Sequence, residues 1–222
     1  MTRGISVVLA ASWSVLCHAA VLYVDPASPN PAAPFDVWTN AAHDIQAAID
    51  VAQPYDTVLV TNGVYDTGAR VVEGRQASNR VVMTTDHVRV MSVNGPAVTF
   101  IVGAKSGIRC VYMDNGAFLS GFTLTNAFPT AVTGIDDGGG AYVVEGTISN
   151  CVITGCVVSH MGGGIFGGTV YDSHFIGNTC WGYGGGVASS TLHRCIIEGS
   201  LTTHEAAGAY GCTLIDCRLH HN

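Results

Sequence analysis

The chain has 222 residues, a net charge of −7 and 11% charged side chains, about half the share of an average domain, while its 28 glycines exceed the usual ~7%. With Lys105 as its one lysine, it lacks the basic patches that nucleic acid or an anionic membrane surface requires, and both are excluded as partners. Low charge with abundant glycine suits short strands joined by tight turns.

Arg3, the apolar run from Ile5 to Leu16 and the small-residue end Cys17-His18-Ala19-Ala20 read as a secretory signal over residues 1–20, cleaved after Ala19 or Ala20. The run is too short for a membrane-spanning segment, and no later stretch reaches the required ~20 apolar residues. A lipidated Cys17 is the weaker alternative, because Leu16 is bulky where a small residue is expected. The expected location is secreted, extracellular or cell surface.

Residues 21–56 hold a first strand at Val21-Leu22-Tyr23-Val24-Asp25, a loop from Pro26 to Pro34 and one helix. Asn40 is its expected cap, Asp44 favours its first turns, and Ile45, Ala48, Ile49 and Ala52 share one face until Pro54 stops it. Such a helix covers the open end of a stacked fold; a binding helix is the functional alternative.

From residue 57 to 222 the chain repeats. Val58, Val88, Phe118 and Ile148 recur at an equal, longer step, each opening a β-rich run. Thr147, Thr169, Thr191 and Thr213 then recur every 22 residues, and the triplets Gly162-Gly163-Gly164 and Gly184-Gly185-Gly186 keep that step. A period in the low twenties marks a solenoid. The columns that follow each threonine give the inward positions: Ile148, Val170, Leu192 and Leu214; then Cys151, Ser173, Cys195 and Cys217; then Ile153, Phe175, Ile197 and Leu219. Their spacing predicts two short strands per unit with a tight bend between them. Stacked strands lie roughly 4.8 Å apart, so seven coils make a rod about 30 Å long. The outward column Asp172, Arg194, Asp216 alternates in sign and predicts an exposed charge ladder.

The repeats run to Asn222 without a polar end-coil after Leu219. The expectation is therefore a fold that continues beyond the given C-terminus, or end-to-end association through Leu214, Ile215 and Leu219.

Cys195 and Cys217 share a column on adjacent units, close enough in Cα spacing to bridge, but their side chains should point inward as parallel thiols. Cys151 and Cys195 are two units apart and too distant. Two readings stand: buried thiols used as small apolar spacers, or one or two disulfides. No Cys-x-x-Cys or paired His/Cys spacing signals zinc.

The helix Asp44-Ile45-Gln46-Ala47-Ala48-Ile49-Asp50, followed by Asp56-Thr57-Val58-Leu59-Val60 and Gly63-Val64-Tyr65, resembles the start of right-handed parallel β-helix proteins of the pectin-lyase-like class. Leu119-Ser120-Gly121-Phe122-Thr123-Leu124-Thr125-Asn126 and Asn150-Cys151-Val152-Ile153-Thr154-Gly155 are similar to repeat-rich secreted bacterial members, of surface or adhesin-like type. The resemblance implies an all-β solenoid, a right-handed parallel β-helix of about seven coils with an N-terminal capping α-helix. That architecture hosts lyases, hydrolases and adhesins alike.

Lyases of the class, as the resemblance implies, hold Ca²⁺ on converging carboxylates beside an Arg or Lys base. The candidate ion or ligand cluster is Asp136, Asp137 and Glu145, flanking the first glycine triplet, with Lys105 or Arg109 as the nearby base. Asp-Asp before glycines is also ordinary turn chemistry. His160 and His204 share a column with Gly182 between them, too far apart to hold one metal directly. The expected role is structural or adhesive, presenting loops to polysaccharide or cell-surface components, with no cofactor. The alternative is a polysaccharide lyase or glycoside hydrolase acting on acidic polysaccharide, for which Ca²⁺ would be the cofactor.

Overall fold

A computed structural model describes residues 19–129 and 137–222; Asp136 and residues 1–18, where a secretory signal was expected, lie outside them. The fold is mostly β, built of long parallel sheets. Sheet A has eight strands, from Val21–Val24 and Thr57–Val60 through Gly146–Ser149 and Thr169–Tyr171 to Thr213–Ile215. Sheet B has seven, running from Gly63–Tyr65 through Val152–Thr154 to Arg218–His220. Sheet C also has seven, including Ser78–Met83, Ile108–Met113, Ala141–Val143 and Ile165–Phe166, and its one antiparallel pairing joins Arg70–Val71 to Ser78–Met83. Sheet D holds Val157–Val158, Thr179–Cys180 and Leu201–Thr202. The chain visits A, B and C in turn, so each unit has a third strand where two were expected. In the 22-residue units those sheet C strands, Ile165–Phe166, Val187–Ala188 and Ala209–Tyr210, are two residues long and follow glycine-rich turns, which is why they read as turns.

The core runs between the sheets. Ile148, Val170 and Leu192 face one another in register and are fully buried, as are Ile153, Phe175 and Ile197. Leu214, Ile215 and Leu219, on the last strands of their sheets, are 40%, 41% and 43% exposed. Upstream the equal step does not hold. Val58 pairs with Val90, Val90 with Leu119, and Leu119 with Ile148, so Val88 and Phe118 fall off the column. The connecting loops differ in length, and the even spacing is their average. Phe118 points outward beneath the Arg89 guanidinium, 4.3 Å from its ring.

The bend between sheets A and B is a single left-handed residue in each unit: Asn150, Asp172, Arg194 and Asp216 have φ of 48°, 49°, 53° and 53°. The expected charge ladder is thus a column of corners. Arg194 binds Asp172 through two hydrogen bonds of 2.7 and 2.8 Å, a solvent-screened pair that fixes register more than it stabilises. The next column satisfies the corner amides. Phe122 N donates to Cys151 Sγ at 3.5 Å, Cys151 N to Ser173 Oγ at 3.1 Å, and Cys195 N to Cys217 Sγ at 3.5 Å. Serine and cysteine both serve there because either is small and accepts a backbone N–H.

Burial pushes the Cys151 thiol up to about 11. Its folded value is raised above that of the unfolded chain, so the stability it contributes is full below pH ~9 and is lost as pH rises towards ~11, about 2–3 kcal/mol over two pH units. Urea midpoints measured at pH 8.5 and 11 should therefore fall further for the native chain than for Cys151→Ser. An equal fall in both would remove Cys151 as the cause.

The helix spans Ile45–Val51 and buries Ile45, Ala48 and Ile49 against sheets A and C. Its cap is Asp44, whose carboxylate accepts from Ala47 N at 2.8 Å, and not Asn40. Asn40 instead closes a short 3-10 turn, Trp38–Asn40, by accepting from Val37 N at 3.1 Å. Gln46 ties the helix to sheet C, accepting from Val82 N at 2.7 Å and donating to Val82 O at 3.2 Å.

Candidate functional site

Of the predicted cluster, Asp136 lies outside the described residues, and the other two acids point to different surroundings. Asp137 pairs in parallel with Met161, and its Oδ1 is 2.7 Å from His160 Nδ1. Glu145 is exposed at the far end of Ala141–Val143 and does not join that pair. Among the described residues, no three His, Cys, Asp or Glu side chains gather to hold a metal ion.

Arg109 is an anchor for this loop. Its guanidinium is 5% exposed and donates to Gly138 O at 2.7 Å, Asp137 O at 2.8 Å and Asn79 Oδ1 at 2.7 Å. A side chain so engaged fixes where Asp137 stands; Lys105 remains exposed on its turn. The Asp137–His160 pair is partly open, with 15% and 39% of the two side chains exposed.

Beside it the sequence reading missed an aromatic patch. Trp181 is 50% exposed and is braced edge-on by Phe128, with ring centroids 5.3 Å apart. Trp181 O accepts from Thr203 and lies 2.9 Å from His204 Nδ1, and Tyr183 tilts against His204 and Tyr210 at 5.4 and 4.8 Å. The bridge from Asp137 to Met161 to Tyr183 places these groups on successive strands of one side. The signal was present in the columns: Asp137 is one residue beyond the position that aligns with His160.

A cavity of 310 Å³ lies between the helix and the segment Tyr65 to Arg70. A second opens beyond the Arg70–Asp50 pair that crosses between them. Both bonds of that pair are 2.6 Å; burial works to raise the Asp50 carboxyl, but hydrogen bonds from Arg70 and Gln46 outweigh it and hold it below its usual range. Burial pushes Tyr65 up to about 12. Arg80 reaches the carbonyls of Val102 at 2.8 Å, Gly103 at 3.4 Å and Gly68, and burial lowers its affinity for the proton. These arginines sit in strand runs whose partners are distant in sequence, so pattern alone did not expose them.

No family model, curated protein or solved structure matches the chain.

Proposed function

We propose that the chain is a secreted right-handed parallel β-helix of the pectin-lyase-like type, about seven coils covered at one end by the helix. Its role is structural and adhesive, presenting a rigid side to polysaccharide or other cell-surface components. The observation that carries the reading is the half-exposed Trp181, braced by Phe128, with Thr203 and His204 at its carbonyl, on the unit of the stack that follows His160 of the partly open Asp137–His160 pair. A fixed indole face beside polar hydrogen-bonding groups suits a sugar ring, which is apolar on its faces and polar at its edge. Export fits the N-terminal geometry. Cleavage after Ala19 makes Ala20 N the new amino terminus, 2.7 Å from the buried Asp56 carboxylate, an ion pair that cleavage after Ala20 would forfeit.

The second reading, a lyase or hydrolase of acidic polysaccharide, draws on the same Asp137–His160 pair as an acid–base couple. A Ca²⁺ ion at Asp137 would have to compete with His160 for the carboxylate.

Binding to a panel of insoluble polysaccharides separates the readings. The native chain is expected to bind at least one of them, and Trp181→Ala to lose roughly tenfold or more in affinity, about 1.4 kcal/mol. Equal binding by the variant would remove the patch from the account. Release of unsaturated or reducing sugar ends, with or without Ca²⁺, would put the enzyme reading first.

A further inference from the structure

We propose that Cys195 and Cys217 form a disulfide that staples two successive units of the stack. They occupy one column, one 22-residue step apart, between stretches whose pairing is fixed. Leu192 faces Leu214 on one side, while Ile196 and Ile197 face Arg218 and Leu219 on the other. Strands so paired hold facing Cα atoms about 4.8 Å apart, inside the roughly 4.4–6.8 Å that disulfides span. The Cys217 sulfur already rests 3.5 Å from Cys195 N. Parallel stacking leaves the Cβ atoms near the same ~4.8 Å, so closure takes an approach of about 1 Å at a bend that is free of ladder pairing.

The other thiols are worse placed. Cys151 is separated from Cys195 by Ser173. Cys110 and Cys156 interact, but their sulfurs lie against Thr125 O at 3.3 Å and Leu124 O at 3.7 Å, on a strand between their own units. Both are fully buried, so an oxidant in solution does not reach them while the core stays closed. Cys212 turns to the carbonyls of Tyr210 at 3.3 Å and Val187 at 3.9 Å, at a different bend.

Both thiols are reduced in this structure. The oxidant is a small disulfide, such as oxidised glutathione. The half-buried Cys217 attacks first as thiolate, forming a mixed disulfide and releasing one glutathione thiolate. Cys195 then loses its proton and attacks the Cys217 sulfur; the protein disulfide forms and the second glutathione thiolate leaves. Two protein thiols are oxidised by two electrons, one glutathione disulfide is reduced to two thiols, and the two protons pass to the released thiolates. Burial pushes Cys195 up to about 11, so the second step is slow at neutral pH and quickens as pH rises.

The test treats the reduced full chain with oxidised glutathione at two pH values, then blocks remaining thiols. Digestion after Arg194, Glu198, Glu205 and Arg218 leaves Cys195 and Cys217 on separate peptides. Mass spectrometry is expected to find those peptides joined with the loss of two hydrogens, forming roughly tenfold faster per pH unit. Cys212→Ser should keep the link, and Cys195→Ser should stop at a glutathione adduct on Cys217. Both serine variants should fold, because Ser173 is native to the Cys195 column and Ser190 stands one 22-residue step before Cys212. An unreacted native chain, an adduct that never resolves, or a link between Cys212 and Cys217 would each overturn the proposal.

Discussion

Gly163→Ala is expected to unfold the stack, while Ala207→Gly at the equivalent position is expected to be nearly silent. The middle glycine of each triplet lies where one strand turns under the next. A Cβ on Gly163 would lie 2.5 Å from the Thr179 carbonyl oxygen and closer still to that of Gly185. Both obstacles are backbone, so no side-chain rotation relieves them, and the units must separate to admit a methyl group. Gly139 meets the Gly163 carbonyl and Gly185 meets the Ala207 carbonyl in the same way. Ala207 carries its methyl beside Ala209–Tyr210, the terminal strand of sheet C, where among the described residues no following strand packs over it. Ordinary overpacking costs about 1–3 kcal/mol, and a collision with two backbone carbonyls of the next unit belongs to the rare class above ~4 kcal/mol. Set against a total of about 5–15 kcal/mol, that is most of the stability. Circular dichroism and urea titration of the two variants give the comparison. A Gly163→Ala protein with a native urea midpoint would mean the units are not packed in this way.

The 22-residue step and its buried columns were legible because the last units have constant length and so keep register. The earlier units were not, since loops of unequal length separate Val58, Val90, Leu119 and Ile148, and only the hydrogen-bonded pairing reveals which residues face each other. The triplets were visible as a repeat, but their purpose was not. Their third glycines let successive backbones close up and leave room for a corner side chain: a Cβ at Gly140 or Gly186 would lie 2.7 or 2.5 Å from the Gly164 or Gly208 carbonyl oxygen and 3.3 or 3.0 Å from Cys156 Sγ or Ser200 Oγ. Arg109 and Arg80 follow the same logic, each buried among carbonyls contributed by segments far along the chain. Local sequence shows a polar residue in an apolar run; the partner that makes it buried is a tertiary fact. The same limit applies to the site, where Asp137 was identified as an acid but its imidazole partner and the neighbouring indole were not.

Asn178→Leu should be among the most damaging changes that keep the branched shape of the side chain. Asn178 is fully buried in the corner column that Cys156, Ser200 and Asn222 share. Its Oδ1 accepts from Cys156 N at 3.1 Å and its Nδ2 donates to Ile153 O at 2.8 Å, so one amide closes the bend of the preceding unit. Leucine fills the space and strands both backbone groups in the core. Each buried donor or acceptor left unpaired costs about 1–3 kcal/mol, giving roughly 2–6 kcal/mol for the two. Asn222 repeats the arrangement two units further along, accepting from Ser200 N at 3.0 Å and donating to Ile197 O at 2.9 Å, but at an exposed position. In Asn222→Leu water can replace the lost partners, and the cost should fall to about 1 kcal/mol or less. Urea midpoints should therefore separate the two variants by several-fold in stability loss, and hydrogen exchange at the Cys156 amide should accelerate in Asn178→Leu alone. Equal losses from both variants would show that burial of the bend, and not the amide's bonding, sets the energy at these corners.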